Sequence, residues 1–243
     1  MSKSAESKAD QTPEERPARM LNLVQRDTLK TRIYREVRNA LLGGHFDPGE
    51  AITVRRLAEE LGAGAMPIRE SLQRLVAEGA LMNLPNGRVQ VPRLTADEFD
   101  EIKEIRLRLE GFASARAAVR RTDKDLELIS LNHDKLMGLL TGQGEWSKIT
   151  EANRAFHFSI YQASGAHHLL SLIDSLWLRV GPLLAFPFKV PMEARAAYVA
   201  NLGRHSDLMT SVKDGDGRAA EAAIREILLA SAAWYHRHYQ FSA

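Results

Sequence analysis

The stretch LAEELGAGAMPIRESLQRLVAEGAL, Leu57–Leu81, predicts two short helices joined by a tight turn. The first is amphipathic, and Gly62-Ala63-Gly64 ends it. The second begins near Met66-Pro67, because proline is tolerated in a first helical turn, where its missing N–H would have no partner. Its apolar residues have the spacing of a half-buried helix: Ile68, Leu72, Leu75 and Val76. This is the layout of a helix-turn-helix, whose second helix enters the DNA major groove, although unrelated proteins also contain helical hairpins.

The residues that follow predict a small β-hairpin. Met82–Pro92 has the pattern of a strand, a turn at Asn86-Gly87 and a second strand, and Asn-Gly favours such a turn because both residues tolerate positive φ. A helix pair followed by a hairpin is a winged helix-turn-helix. Gly87 and Arg88 would lie at the tip of the wing, where Arg88 can reach a phosphate or a groove edge.

Composition limits the remaining classes. The chain has 243 residues, enough for roughly two domains. Cysteine is absent, which excludes disulfides, thiolate metal sites and a cysteine nucleophile. Residues 26–93 hold eleven Lys/Arg and eight Asp/Glu, whereas residues 94–243 hold eighteen and nineteen, so the N-terminal part is weakly basic, as suits DNA binding. We expect no membrane span and no secretory signal, and therefore a cytoplasmic protein.

Three regions follow from the order of the patterns. Residues 1–26 are polar and aperiodic and predict a flexible tail, with a DNA-touching basic arm as the alternative. Residues 27–94 form the predicted DNA-binding domain, with a further helix at Leu29–Leu42 and Thr53 as an N-cap candidate. Residues 95–243 form a second domain, for which a family resemblance implies effector binding and dimerisation.

The first domain resembles the winged-helix domain of the GntR family of bacterial transcription regulators. The resemblance covers residues 29–93 and rests on FDPGE, LAEELG, PIRESLQRL and AEGAL. In that family three arginines contact DNA; the first matches Arg55 and the last matches Arg69, but the middle one falls on Ala65.

The arginines of this domain are the predicted DNA contacts. Arg69 would read a guanine edge, a contact worth about 1–3 kcal/mol of discrimination, or would pair with Glu70 or a phosphate instead. Arg55, Arg74 and Arg88 are predicted phosphate contacts.

The remainder predicts an all-α antiparallel bundle. Thr95 and Glu98 have the spacing of a capping box at its first helix. The predicted helices are 96–120, 123–141, 146–164, 167–184, 191–214 and 216–240. The fold class is therefore mainly α: a winged helix-turn-helix of three helices plus a β-hairpin, joined to a helical-bundle ligand-binding domain.

Arg106 is a polar group on a predicted apolar stripe. The stripe of this helix consists of Ile102, Ile105, Leu109, Phe112 and Ala113. A buried guanidinium requires an anion. The partner would be an internal carboxylate, Glu110 or Asp174, or a bound organic acid held by bidentate hydrogen bonds.

Two histidines also lie among apolar neighbours. Asn153 and His157 are four residues apart, so both side chains can meet one ligand. His205 shares a face with Leu202 and Leu208. Each histidine alone is typical of a satisfied core residue, but two on different helices favour a binding cavity.

The second domain resembles the ligand-binding domain of the FCD branch of the GntR family over residues 97–240. The segments EIRLRLEGFA and NRAFH carry the match. Many FCD proteins bind a divalent metal through an Asp and three His, and an organic acid completes the coordination. The resemblance places these ligands at Asn153, His157, His205 and Ile227, so an amide and an alkyl chain replace two of them. Either Zn²⁺ or Ni²⁺ binds loosely, or Arg106, Asn153, His157 and His205 bind the acid directly without metal.

We therefore expect a DNA-binding transcription regulator, a repressor in the commoner mode of that family, and not an enzyme. It would bind a double-stranded operator as a homodimer, with a small carboxylate effector tuning its affinity. The alternatives are a metal-responsive regulator without organic effector and a metal-dependent hydrolase built on Asn153, His157 and His205.

Overall fold

The computed structural model describes residues 29–85, 87–141 and 145–242. The predicted tail 1–26 and Asn86 of the predicted turn lie outside the described residues. The N-terminal elements are α1 Leu29–Leu42, β1 Ala51–Ile52, α2 Val54–Leu61, α3 Ala65–Ala77, β2 Met82–Asn83 and β3 Val89–Gln90. The C-terminal elements are α4 Ala96–Arg120, α5 Asp123–Thr141, α6 Trp146–Ala163, α7 His167–Leu184, α8 Met192–Leu202, α9 His205–Asp214 and α10 Gly217–His238. The predicted mainly helical fold is confirmed.

The helix-turn-helix forms for the local reasons that the sequence indicates. The Thr53 side chain accepts a hydrogen bond from the Arg56 N–H and caps α2. Gly62 ends α2 at φ 58°, a left-handed conformation that glycine adopts without steric cost. Ile68, Leu72 and Leu75 of α3 are buried against α1. The turn and the packing together fix the angle at which α3 projects from the domain.

The wing has one strand more than the sequence analysis predicts. The sheet order is β1-β3-β2, with both pairs antiparallel, so β1 joins the predicted hairpin. The pattern of Ala51–Ile52 is too short to predict a strand, and its hydrogen bonds come from β3, nearly forty residues later along the chain.

The bundle is organised around α4 and α10, which pack along each other. The capping box at Thr95 and Glu98 is confirmed at the start of α4. The predicted stripe of α4 is wrong at two positions, because Ile105 and Phe112 are 38% and 57% exposed. The buried face instead carries small residues, which allow α10 to approach closely: Gly111, Ala113, Ser114, Ala117 and Ala118.

The predicted helix 191–214 is two helices, separated at Gly203 and Arg204. The N–H groups of Gly203, Arg204 and Ser206 each bond a carbonyl three residues back, as in a tight turn rather than a continuing α-helix. This break frees the carbonyl of Leu202 and places His205 at the start of α9.

The two domains contact each other through α1 and α7. A Cβ on Gly181 would lie 2.8 Å from the carbonyl oxygen of Leu41, so the backbones of the two helices almost touch. Asp174 of α7 forms an ion pair with Arg38 of α1 and a second one, 3.0 Å long, with Arg154 of α6. Lys189 and Asp47 add a further ion pair between the domains.

The segment His167–Phe188 is long and apolar enough to cross a membrane by length and composition. Half of its most apolar window is buried inside the protein, where Trp177, Val180 and Leu183 face the bundle. Such burial is typical of the core helix of a globular domain.

Candidate functional site: a DNA-binding face and a buried cavity

The exposed side of α2 and α3 carries the predicted DNA-binding arginines. Arg69 is exposed on α3, and no ion pair to it is found among the described residues. Glu70, its alternative partner, pairs with Lys30 at 2.8 Å. Arg55 is 90% exposed and lies 4.0 Å from Glu59. Both arginines are therefore available to an external anion.

Arg74, unlike Arg55 and Arg69, is held by partners inside its own domain. The guanidinium of Arg74 lies 3.7 Å from the centre of the Tyr34 ring and donates a 3.0 Å hydrogen bond to Glu78. Arg74 thus ties α3 to α1, although half of its side chain remains exposed. Gly87 has φ 74°, as the predicted turn requires, and Arg88 is exposed beside it.

An internal cavity lies in the bundle where the polar residues were predicted to meet. It contains about 50 Å³ of free space and brings together Arg106 from α4, Asn153 and His157 from α6 and His205 from α9. Since one water needs about 10–15 Å³, the space suits a few waters or a small ligand. The remaining wall is largely apolar and includes Ile102, Val180, Leu183, Ile227 and Leu228.

Arg106 has an internal partner. Its Nε–H donates a 2.6 Å hydrogen bond to Oε1 of Glu110, and its guanidinium lies 4.9 Å from the Trp177 ring centre. Glu110 is fully buried and also accepts hydrogen bonds from Trp177 Nε1, at 3.1 Å, and from the Tyr161 hydroxyl. Of the two partners predicted for Arg106, an internal carboxylate or a bound organic acid, the internal carboxylate is therefore present. It uses one of the five N–H donors of the guanidinium.

The two histidines face each other. Nε2 of His157 lies 2.9 Å from Nε2 of His205. On the far sides, Nδ1 of His205 lies 2.7 Å from the carbonyl oxygen of Leu202, and Nδ1 of His157 lies 3.1 Å from the Tyr161 hydroxyl. Burial lowers the pKa of His205 to about 4, and burial, His205 and Arg106 lower the pKa of His157 well below its usual value. Burial therefore favours the neutral form of both rings.

Asn153 also lines the cavity. Its Oδ1 is buried and has no hydrogen-bond partner. Ile227 lines the same cavity but offers no ligand atom, and no group of three or more His, Cys, Asp or Glu that could hold a metal occurs in the described part of the chain. Two imidazole nitrogens and an amide oxygen remain as donors, a set that suits a borderline divalent ion such as Zn²⁺ or Ni²⁺.

Tyr161 is a residue of this site that the sequence analysis missed. It follows Asn153 and His157 at the same four-residue spacing, so the helical repeat was the signal that could have found it. Tyr198 and Tyr235 line the cavity itself, but they come from α8 and α10, and no local pattern links them to His157.

Both domains match the profiles of known protein families. The profile of the bacterial regulatory proteins of the gntR family matches residues 29–91, and the FCD domain profile matches residues 101–230. The chain belongs to the GntR family, FCD type. Regulators of this kind bind DNA operators, so the winged helix-turn-helix is a DNA-binding domain, and the expectation that the protein is not an enzyme is confirmed.

Individual proteins similar to this chain are transcriptional regulators as well. The regulator is 29% identical over 214 residues to the HTH-type transcriptional regulator McbR of Escherichia coli K12, covering 87% of this chain and 95% of McbR. The McbR structure superposes with a TM-score of 0.80 over 88% of this chain and 99% of McbR. The HTH-type transcriptional repressor GlaR, also from Escherichia coli K12, is 25% identical over 59% of this chain and 67% of GlaR.

A more distant structure shows the same fold. A GntR-type regulator structure from Rhodococcus sp. RHA1 has a TM-score of 0.69 at 19% identity, covering 87% of this chain and 99% of that one.

Proposed function

We propose that the protein is a ligand-responsive repressor whose operator affinity is set by a small carboxylate in the buried cavity. The observation that carries this proposal is the position of α7. One face of α7 lines the cavity through Trp177, Val180 and Leu183, and another face supports α1 of the DNA-binding domain. A ligand that displaces α7 would therefore displace α1. Because α1 packs against α3, the recognition helix α3 would move with it.

The contact between α7 and α1 is suited to transmit such a displacement. The close backbone approach at Gly181 leaves no soft side-chain layer to absorb movement. Asp174 accepts hydrogen bonds from Arg38 on the DNA-binding side and from Arg154 on the cavity side, and Arg154 directly follows Asn153 in the chain. Because coupling is reciprocal, operator DNA would change the affinity for the ligand by the same factor.

Arg106, Asn153, His157 and His205 are the proposed ligand contacts. Arg106 keeps guanidinium N–H donors beyond the one bonded to Glu110, and two N–H donors suffice for a bidentate carboxylate. A Zn²⁺ or Ni²⁺ ion held by Asn153, His157 and His205 would give the carboxylate a second anchor. The protein would act in the cytoplasm, where its operator is.

A homodimer would place two recognition helices about 34 Å apart, one DNA turn, on a two-fold operator. We propose that the second copy packs on the exposed apolar residues of α4. Ile105, Phe112 and Val119 repeat every seven residues, and Phe112 and Val119 are 57% and 70% exposed. A charged substitution, Phe112→Asp, should dissociate the dimer in light scattering coupled to size-exclusion chromatography. An unchanged mass would show that this face does not hold the second copy.

The test of the regulatory proposal uses an operator selected from random DNA by the protein itself. Fluorescence anisotropy measures operator affinity with and without a panel of small mono- and dicarboxylates. The active compound should lose its effect in Arg106→Ala, which should still bind operator. Asp174→Asn should retain ligand binding in calorimetry but lose most of its influence on DNA, whereas Asp207→Asn, exposed on α9, should behave as wild type.

Two results would contradict the proposal. The first is that none of the carboxylates changes operator affinity. The second is that the active carboxylate changes the operator affinity of Asp174→Asn as strongly as that of wild type. The alternative, a metal-responsive regulator, predicts operator release by Zn²⁺ alone. It is favoured by the buried, unpartnered oxygen of Asn153, a residue that lines the same cavity as the two histidines.

A further inference from the structure

The exposed face of α3 offers only part of its length to DNA. In the first two turns the exposed residues are Ala65, Met66, Arg69 and Glu70. Glu70 is held by Lys30 at 2.8 Å. One turn further along, Nε2 of Gln73 donates a 3.2 Å hydrogen bond to Oδ1 of Asn83 in the wing. The residues left for contacts outside the protein are therefore those of the first turn, together with Arg69.

Met66 is the large side chain of that first turn. It is 66% exposed, and no hydrogen bond or ring contact to it is found within the described residues. Single exposed apolar residues are common on protein surfaces, so its position rather than its exposure carries the argument. Met66 and Arg69 are three residues apart on one helix and therefore lie side by side.

The position of Met66 is the part of a recognition helix that reaches the bases. In a helix-turn-helix, the N-terminal residues of the second helix contact base edges in the major groove. A methionine cannot donate a hydrogen bond there, and its sulfur is only a weak acceptor. Ala65, the other exposed side chain of this turn, consists of a single methyl group.

Only one base presents an apolar group to such a side chain. Guanine, adenine and cytosine expose hydrogen-bonding groups in the major groove, whereas thymine adds a 5-methyl group. A methionine that covers a polar base edge strips it of water and leaves it without a hydrogen-bond partner, which is unfavourable. A methionine that covers the thymine methyl buries two apolar surfaces together, which is favourable.

We infer that Met66 is a specificity-determining residue that packs on the 5-methyl group of an operator thymine. The side chains of Met66 and Arg69 begin about 5–6 Å apart, and base pairs are spaced by about 3.4 Å, so this thymine lies one or two base pairs from the position of Arg69. The flexible thioether can adapt its shape to the methyl group. The inference concerns the DNA-binding domain and is independent of the ligand cavity.

The first test is the sequence that each variant selects from random DNA. The wild type should select a half-site that contains the thymine. Met66→Ala should lose the preference at that base pair and keep the rest of the site, whereas Arg69→Ala should change a position one or two base pairs away. Because Met66 is exposed, the variant should fold as wild type does, which circular dichroism checks.

The second test removes the methyl group from the DNA. Replacing the selected thymine with deoxyuridine deletes only this group and leaves every hydrogen-bonding atom in place. In fluorescence anisotropy the replacement should weaken wild-type binding by about fourfold, the amount expected for one buried CH₂ group. Met66→Ala should bind the thymine and deoxyuridine operators equally. Leu131→Ala is the matched control, because Leu131 is also 66% exposed but lies on α5, and it should retain the wild-type difference.

Four results would overturn the inference. The wild type selects no thymine within two base pairs of the position that Arg69→Ala changes, or no deoxyuridine replacement weakens its binding. Met66→Ala selects the same sequence as wild type, or it loses as much affinity as wild type does on the deoxyuridine operator, so that another residue reads the methyl group. None of these results involves the cavity, and the carboxylate titrations decide the proposed function separately.

Discussion

The ion pair between Arg106 and Glu110 gives the sharpest prediction about stability. Glu110 is fully buried and the Arg106 side chain is 12% exposed, with 2.6 Å between Nε and Oε1. Removing one partner of a buried pair leaves an uncompensated charge, which typically costs about 3–5 kcal/mol. Trp177 and Tyr161 still donate to Glu110 in Arg106→Met, so we expect the lower end, about 3 kcal/mol.

The double variant tests the physical reason. Glu110→Gln should also cost about 3 kcal/mol, because it leaves Arg106 without its anion. Independent effects would sum to about 6 kcal/mol, whereas the double variant leaves no charge unpaired and should cost only about 3 kcal/mol, a coupling of about 3 kcal/mol. The two values for the double variant differ by about 3 kcal/mol, which is large enough to measure.

Urea denaturation followed by far-UV circular dichroism measures the four free energies of unfolding. Arg108→Met, exposed on the same helix, is the control and should change stability by less than about 0.5 kcal/mol. Additive effects, within about 0.5 kcal/mol, would refute the reasoning and would mean that Arg106 is hydrated through the cavity rather than held by Glu110.

Three further predictions concern DNA, acid and the domain boundary. Arg69→Ala should weaken binding to the selected operator more than to random DNA in anisotropy titrations; equal losses would make it a phosphate contact. Lowering the pH from 7 to 4.5 should cost about 2.5 kcal/mol at His205, because burial holds its folded pKa near 4, below the unfolded ~6.5, so stability is lost as the pH falls through this window. An identical acid profile in His205→Gln would contradict that assignment. Thr95→Ala should lower the free energy of unfolding by about 0.5–2 kcal/mol in urea denaturation, whereas an unchanged value would show that the capping box contributes nothing.

Most of the fold could be predicted because its signals are local. Gly62, Thr53 and the Thr95–Glu98 box act within a few residues of the backbone that they cap, so the helix ends could be read directly. The break at Gly203 was missed, since a single glycine inside an apolar repeat does not by itself end a helix.

The inner face of α4 shows where local periodicity fails. Its large apolar residues, Ile105 and Phe112, point outward, whereas small residues pack against α10. Hydrophobicity indicates which residues would gain by leaving water, but not which face of a helix a neighbouring helix will cover. That choice depends on the shape of a partner about a hundred residues away in the chain.

The candidate site divides in the same way. The sequence by itself determined that Arg106, Asn153, His157 and His205 are polar groups on helices of a bundle, and that the winged helix-turn-helix precedes them. Only the tertiary structure decided that Glu110 rather than Asp174 pairs with Arg106, that Tyr161 joins Glu110 to His157, and that Asp174 connects α7 to Arg38. The physical reason is that helical periodicity fixes the direction of a side chain relative to its own helix, whereas a hydrogen bond between helices depends on distances of a few tenths of an ångström that only the packing of the whole bundle sets.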